Sequence, residues 1–188
     1  DGAYAELGSP QVVVLMHPIG RDDDQEAAAM QTVLDAVNDK RVLVLHPNLD
    51  PGRRGIMNTI ESAPIEVQVR PGLPRDIFVG LLKRVGAEGG ALVGNSSAGL
   101  IEASAIGCPS VDIGDRQSGR ERCEGWTMHA DESVDPIREA LKLALDPNTP
   151  RSDHPYGDGT SGPQIASQIA QVLSGPESGK LLRKRCMY

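Results

Sequence analysis

The feature that most constrains this fold is a regular alternation of short apolar runs with segments of helical length. The runs are rich in Val and Leu, as in VVVLM at 12–16 and VLVL at 42–45. Continuous apolar runs of this kind are typical of parallel strands that helices cover on both faces. The alternation therefore predicts an α/β fold, a Rossmann-like doubly wound parallel sheet. The predicted strands are 11–17, 41–46, 65–69, 91–93, 110–113 and 127–129, and the predicted helices are 23–38, a segment ending near 62, 74–85, 97–106, 133–145 and 164–173.

The length and charge of the chain limit the classes of function that it can have. A chain of 188 residues is sufficient for one compact core. The net charge of −7 leaves no broad basic face for a phosphodiester backbone, so we expect no nucleic-acid partner. The apolar runs are far too short to span a membrane. Because the three cysteines are far apart in the sequence, they predict neither a disulfide framework nor a zinc site, and the chain reads as cytoplasmic.

The segment GNSSAG at 94–99 is the first candidate binding site. It follows a predicted strand and begins a predicted helix, which is where ligands bind in doubly wound sheets. Backbone N–H groups at the start of a helix, with the hydroxyls of Ser96 and Ser97, suit a phosphate. Glu102 lies six residues further on, about 9 Å along a helix axis, where a carboxylate could accept the hydroxyls of a ribose. An ordinary helix cap with an exposed Glu102 is the alternative.

A charged cluster follows the next predicted strand. The sequence DRQSGRE occupies 115–121, at the same edge of the sheet as the serines. Arg116 therefore becomes a candidate planar donor to the same phosphate. A solvated loop is the alternative interpretation.

The stretch VGNSSAGLIEASAIGCPSVDIGDRQSGRE, at 93–121, resembles the signature segment of the hydrolysing UDP-N-acetylglucosamine 2-epimerases. LMHPIG at 15–20, HPNLDPG at 46–52 and YGDGTS at 156–161 are similar to further segments of that family, in the family's order. The resemblance covers about 11–173. It concerns the second, UDP-binding domain of the family's two-domain, glycosyltransferase-B-type fold.

The resemblance implies a role for each candidate residue. Ser96 and Ser97 would contact the UDP phosphates, Glu102 would bind the ribose, and Arg116 would hold the diphosphate. His17, which matches a histidine beside the reacting sugar, would be catalytic, although a structural histidine is the alternative. The implied reaction eliminates UDP from UDP-N-acetylglucosamine to give a glycal, and water then adds to give N-acetylmannosamine, a precursor of sialic-acid-type sugars. It calls for no cofactor and no metal.

The chain also departs from the family pattern. The acidic residues for proton transfer at C2 come mainly from the family's first domain, and no carboxylate here matches them. We therefore expect a fragment of a longer enzyme, or a half that works with a partner chain, and self-association into a homo-oligomer. On this interpretation 1–10 is the trailing end of an interdomain connection, 11–174 is the UDP-binding domain and 175–188 is a tail.

The helix after the turn at 47–52 bears on regulation. In bifunctional members a cytidine-linked sialic acid binds basic residues on the helix after the PN-x-D-x-G turn. Here that helix reads IMNTIE at 56–61, so we predict no such feedback. Two other functions remain open: a UDP-sugar-binding module without chemistry, and the donor domain of a glycosyltransferase. His17 favours the epimerase, because a donor domain needs no acid or base at that strand end.

Overall fold

The computed structural model describes residues 2–63 and 67–175. These residues divide into two compact units, with the boundary between Pro155 and Tyr156. The strands are β1 Val12–Leu15, β2 Val42–Leu45, β3 Gln68–Arg70, β4 Ala91–Gly94, β5 Ser110–Ile113 and β6 Thr127–Ala130. The helices are α1 Gly2–Glu6, α2 Asp23–Ala36, α3 Arg53–Glu61, α4 Arg75–Ala87, α5 Glu102–Ala105, α6 Val134–Leu145 and α7 Ser161–Ser174.

The first unit is built on a six-stranded sheet in the order β3-β2-β1-β4-β5-β6, and every pair is parallel. The chain runs outward from β1 in one direction and, after β3, crosses back to β4 and continues in the other. This confirms the Rossmann-like doubly wound fold. The change of direction between β1 and β4 creates the crevice in which such sheets bind ligands.

Two apolar cores cover the two faces of the sheet. One packs α2, α3 and α6 against the sheet, and the other packs α4 and the segment from Ala98 to Cys108 against the opposite face. Strands β1, β2, β4 and β5 are buried along their whole length. Burial on both faces explains why β1 and β2 read as uninterrupted apolar runs.

Gly94 ends β4 and pairs with Leu15 of β1. Its φ of 149° is rare for residues with a side chain, and an added Cβ would lie 2.0 Å from the carbonyl oxygen of Leu15. Only glycine fits this position. The close approach sets the spacing of the two loops that follow β1 and β4.

Several predicted elements differ from the observed ones. The predicted helix 97–106 is instead a 3-10 turn, Ser97–Gly99, followed by the four-residue α5. The third strand begins at Gln68 rather than at 65, and residues 64–66 of that prediction lie outside the described residues. A short helix, α1, forms within 1–10, where only a connection was expected.

The second unit contains α7, which is longer than predicted because it already begins at Ser161. Its apolar residues recur at helical spacing, and Ile165, Ile169, Val172 and Leu173 are exposed. The tail 175–188 lies outside the described residues apart from Gly175. Within 2–63 and 67–175, no helix has the length and apolar content needed to cross a bilayer.

Candidate functional site

The side chain of Asn95 joins the loops that follow β1 and β4. Its Oδ1 accepts from the backbone N–H of His17 at 2.8 Å, and its Nδ2 donates to the His17 carbonyl, also at 2.8 Å. Asn95 is only 2% exposed, whereas His17 is half-buried, so both hydrogen bonds are partly shielded from water. The amide thus fixes the backbone of His17 beside the serine turn, which is the 3-10 turn Ser97–Gly99 with Ser96 as its cap.

The His17 ring lies at the switch between β1 and β4. Its Nδ1 accepts from the backbone N–H of Asn48, in the loop after β2, at 3.1 Å. Burial lowers the pKa of His17 below its ordinary value, and the nearby positive charge of Arg116 lowers it further. The ring is therefore neutral at pH 7. Because Nδ1 accepts, the proton is assigned to Nε2, which makes His17 a hydrogen-bond donor at that atom.

Ser96 and Ser97 begin the turn after β4, and both are half-buried. The Ser96 hydroxyl accepts from the N–H of Ala98 at 3.4 Å and so caps the 3-10 turn. This turn has three residues, so the expected dipole of a long helix is not available here. Any anion bound at this point would rely on the two hydroxyls, local N–H groups and a nearby cation.

Arg116 supplies that cation. Its guanidinium donates to the carbonyl of Asn95 at 3.1 Å, and the amide of Gln117 donates to the same oxygen at 2.8 Å. Arg116 itself is exposed, whereas Gln117 is buried. One carbonyl therefore anchors the DRQ segment to the serine turn, while the other guanidinium N–H groups of Arg116 remain available to a ligand.

The helix after the serines is interrupted by hydroxyl groups from the sheet. The carbonyl of Gly99 accepts from Ser110 Oγ at 2.6 Å and from Thr127 Oγ1 at 3.2 Å. The carbonyl of Leu100 accepts from Ser104 Oγ at 2.6 Å. Because side chains occupy these carbonyls, the regular pattern of helical hydrogen bonds is disturbed between Gly99 and Glu102.

Glu102 is accordingly the first residue of α5, not the middle of a long helix. The distance to Ser96 that was inferred from one continuous helix axis does not apply. The Glu102 side chain is 25% exposed and forms a salt bridge with Arg75, the first residue of α4, at 3.1 Å. This ion pair places the carboxylate between α5 and the start of α4.

A buried carboxylate supports the loop after β1. Glu26 is fully buried and accepts from the backbone N–H of Ile19 at 2.7 Å and of Arg21 at 3.3 Å. Arg21 also pairs with Glu132, in the loop between β6 and α6, at 2.9 Å. The loop that carries His17 is therefore held from both sides.

The structure brings His17, Ser96, Ser97 and Arg116 to one edge of the sheet around Asn95, with Glu102 on the adjoining α5. Sequence reasoning missed Asn95, Asn48 and Gln117. Asn95 did carry a signal, because it is a polar residue directly after a buried strand at the switch point. Among residues 2–63 and 67–175, no group of three or more His, Cys, Asp or Glu side chains is arranged to hold a metal ion.

Known proteins provide an independent comparison. The sequence model of a family described as UDP-N-acetylglucosamine 2-epimerase matches residues 3–170. A UDP-N,N'-diacetylbacillosamine 2-epimerase (hydrolyzing) from Legionella pneumophila is 29% identical over 180 residues, which cover 94% of this chain and 46% of the relative. A UDP-N-acetylglucosamine 2-epimerase from Neisseria meningitidis is 26% identical, over 88% of this chain and 43% of the relative. The chain spans about half the length of the curated relatives it matches.

Solved structures share the fold. The UDP-GlcNAc 2-epimerase of Methanocaldococcus jannaschii, in complex with UDP-GlcNAc and UDP, superposes with a TM-score of 0.68 at 13% identity. The match covers 90% of this chain and 48% of that chain. The S. aureus MnaA–UDP structure superposes with a TM-score of 0.65 at 17% identity, over 92% of this chain and 48% of that one.

Proposed function

Because this chain belongs to the UDP-N-acetylglucosamine 2-epimerase family, we propose that it is the UDP-binding half of a hydrolysing UDP-N-acetylglucosamine 2-epimerase. The observation that carries the proposal is the hydrogen-bonded frame around Asn95, which joins His17, the serine turn and Arg116. These are the groups that the elimination of a nucleoside diphosphate requires: hydroxyl donors, a fixed cation and a neutral hydrogen-bond donor.

The diphosphate lies against Ser96, Ser97 and Arg116. Hydroxyls provide uncharged donors, and the guanidinium provides parallel N–H groups that match a phosphate. As the bond between the sugar C1 and the phosphate oxygen breaks, negative charge builds up on the departing UDP. Donors held in advance at that position stabilise the charge without having to reorganise during the reaction.

His17 acts as a hydrogen-bond donor rather than as a base. Its Nδ1 is occupied by the Asn48 N–H, and its lowered pKa keeps the ring neutral, so Nε2 carries a proton. That N–H is directed to the departing diphosphate or to a hydroxyl of the sugar. A neutral donor suits a site that already holds Arg116, because a second positive charge there would be repelled.

The reaction proceeds in two stages. A base removes the C2 proton while the C1–O bond to UDP breaks, which gives a glycal and free UDP. Water then adds across the double bond: hydroxide to C1 and a proton to C2 from the opposite face, which gives N-acetylmannosamine. The product belongs to the route to sialic-acid-type sugars. The acid and base at C2 are assigned to a second domain or partner chain, with which this half forms the complete site.

Glu102 binds the ribose in this proposal. A half-buried carboxylate accepts two neighbouring hydroxyls well, and its ion pair with Arg75 keeps it oriented. We also propose that the enzyme acts in the cytoplasm, as cysteine usage predicts, and that it forms a homo-oligomer.

Calorimetric titration of the 188-residue chain with UDP tests the proposal. We expect Ser96→Ala and Glu102→Ala each to weaken UDP binding at least about tenfold, which is about 1.4 kcal/mol. Ser133→Ala and Glu139→Ala are matched controls, because both residues are exposed at or near α6. Product analysis with UDP-N-acetylglucosamine then reports whether this half turns over alone. Absence of UDP binding by the unaltered chain would overturn the proposal.

A further inference from the structure

Helix α4 has one exposed face, opposite the face that it buries. Its side chains Leu81, Leu82 and Val85 are buried and pack on the apolar core. The exposed side chains recur every three or four positions, so they share the other side of the helix. They line a groove of about 400 Å³ between α4 and α1, and they are Asp76, Ile77, Gly80, Lys83, Arg84 and Ala87.

The middle of this groove is apolar and open. Ile77 is 36% exposed, and the buried side chains of Leu7, which follows α1, and Leu81 also line the groove. Gly80 lies halfway along the exposed face, and a Cβ added there would meet no other atom within 4 Å. Because the distance between packed helices depends on the side chains at their contact, a glycine here lets a second helix come close to α4.

The two ends of the face carry opposite charges. Asp76 lies in the first turn of α4, and Arg84 lies in the last. Each is four residues from Gly80, or about 6 Å along the helix axis. Arg84 pairs with Glu88 on the same helix at 2.7 Å. Among residues 2–63 and 67–175, neither Asp76 nor Lys83 has an ion-pair partner.

We propose that this face of α4 joins two copies of the chain, whose α4 helices cross antiparallel at Gly80 about a two-fold axis. An antiparallel crossing brings Asp76 of each copy opposite Lys83 and Arg84 of the other. A parallel crossing would instead bring like charges together, which is unfavourable. Both copies use the same surface, as a closed dimer requires. Ile77 of each copy packs against the aliphatic part of Lys83 of the other.

The dimer is a weak one. Helix α4 has 13 residues and is about 20 Å long, and one pair of such helices buries less than the roughly 1,200–2,000 Å² of a standard stable interface. This inference rests on the homo-oligomer in the proposed function and identifies its surface. It does not involve the UDP site, so the dimer and UDP binding can fail independently.

Sedimentation velocity of the 188-residue chain, over about a hundredfold range of concentration, tests the proposal. We expect the sedimentation coefficient to rise towards that of a dimer. Gly80→Arg finds open space in a single copy but places two bulky like charges on the two-fold axis, so it weakens association at least about tenfold. Asp76→Lys has the same effect, because the new cation faces Lys83 and Arg84 of the other copy.

Asp135→Lys is the matched control for Asp76→Lys. Asp135 is an exposed aspartate in the first turn of α6, so its replacement makes the same change of charge at the same helix position and leaves association unchanged. Adding Lys83→Asp to Asp76→Lys restores opposite charges between the copies, and it recovers at least about a third of the lost affinity. Circular dichroism of each variant checks that the fold is kept.

Two outcomes would overturn the inference. One is a chain that stays monomeric at every concentration. The other is a dimer that Gly80→Arg and Asp76→Lys weaken no more than Asp135→Lys does, since the copies would then meet at another surface. Calorimetric titration of the same samples with UDP shows separately whether the proposed nucleotide site stands.

Discussion

Replacing Asn95 tests the frame on which the site depends. Asn95→Ala removes two part-buried hydrogen bonds to the backbone of His17 and leaves that N–H and carbonyl without their partner. A hydrogen-bonding group that is left without its partner costs about 1–3 kcal/mol, and the two part-buried groups of His17 fall in the lower half of that range, at about 1–2 kcal/mol each. We expect a loss of about 2–4 kcal/mol in the free energy of unfolding, and a fall of about 6–12 °C in Tm for a domain of this size.

Urea unfolding followed by circular dichroism measures this loss. Asn95→Asp keeps the acceptor for the His17 N–H but replaces the donor to the His17 carbonyl with an oxygen, so it is also destabilised. Asn148→Ala is the control, because that amide donates to Asp146 at an exposed turn, and its effect stays within about 0.5 kcal/mol. A free energy of unfolding for Asn95→Ala within 0.5 kcal/mol of the unaltered chain would refute the reasoning.

Two further predictions concern pH and regulation. Burial lowers the folded-state pKa of His17 below the unfolded value of 6.5. The stability that depends on a neutral His17 ring is therefore fully present above pH 6.5 and is lost as the pH falls through the folded-state pKa. Unfolding midpoints between pH 7.5 and 5 will fall more for the unaltered chain than for His17→Gln, and parallel curves would contradict this. On regulation, residues 56–61 of α3 carry no basic side chain, and Arg54 at the start of α3 pairs with Asp23 at 2.6 Å, so we expect calorimetry to detect no tight binding of a cytidine-linked sialic acid. Specific, saturable uptake of that nucleotide sugar would show the prediction to be wrong.

The sheet could be predicted from the sequence because its central strands are recognisable from their own residues. Burial on both faces selects Val and Leu at every position of β1 and β2, so composition alone marks them. The interruption after Ser97 had no local signal. It depends on Ser110 and Thr127, whose hydroxyls capture the Gly99 carbonyl from strands 11 and 28 residues further along the chain.

The candidate site was predictable only in part. Residues that follow strand ends, such as His17 and Arg116, can be assigned to one edge from topology. The partners that hold them cannot, because hydrogen bonds such as that from Asn95 to His17 span 78 residues. Arg75 escaped notice for the same reason, since nothing near it in the sequence indicates that Glu102 is adjacent in space.

The side-chain amide of Asn95 imitates a peptide unit. By exchanging both hydrogen bonds with the backbone of His17, it adds one rung to the ladder between β1 and β4 just past the point where these strands separate. The histidine and the serine turn are consequently one rigid assembly before any ligand arrives. In the proposed function, a diphosphate that docks there meets groups that are already held in place, so little free energy is lost to ordering the protein on binding.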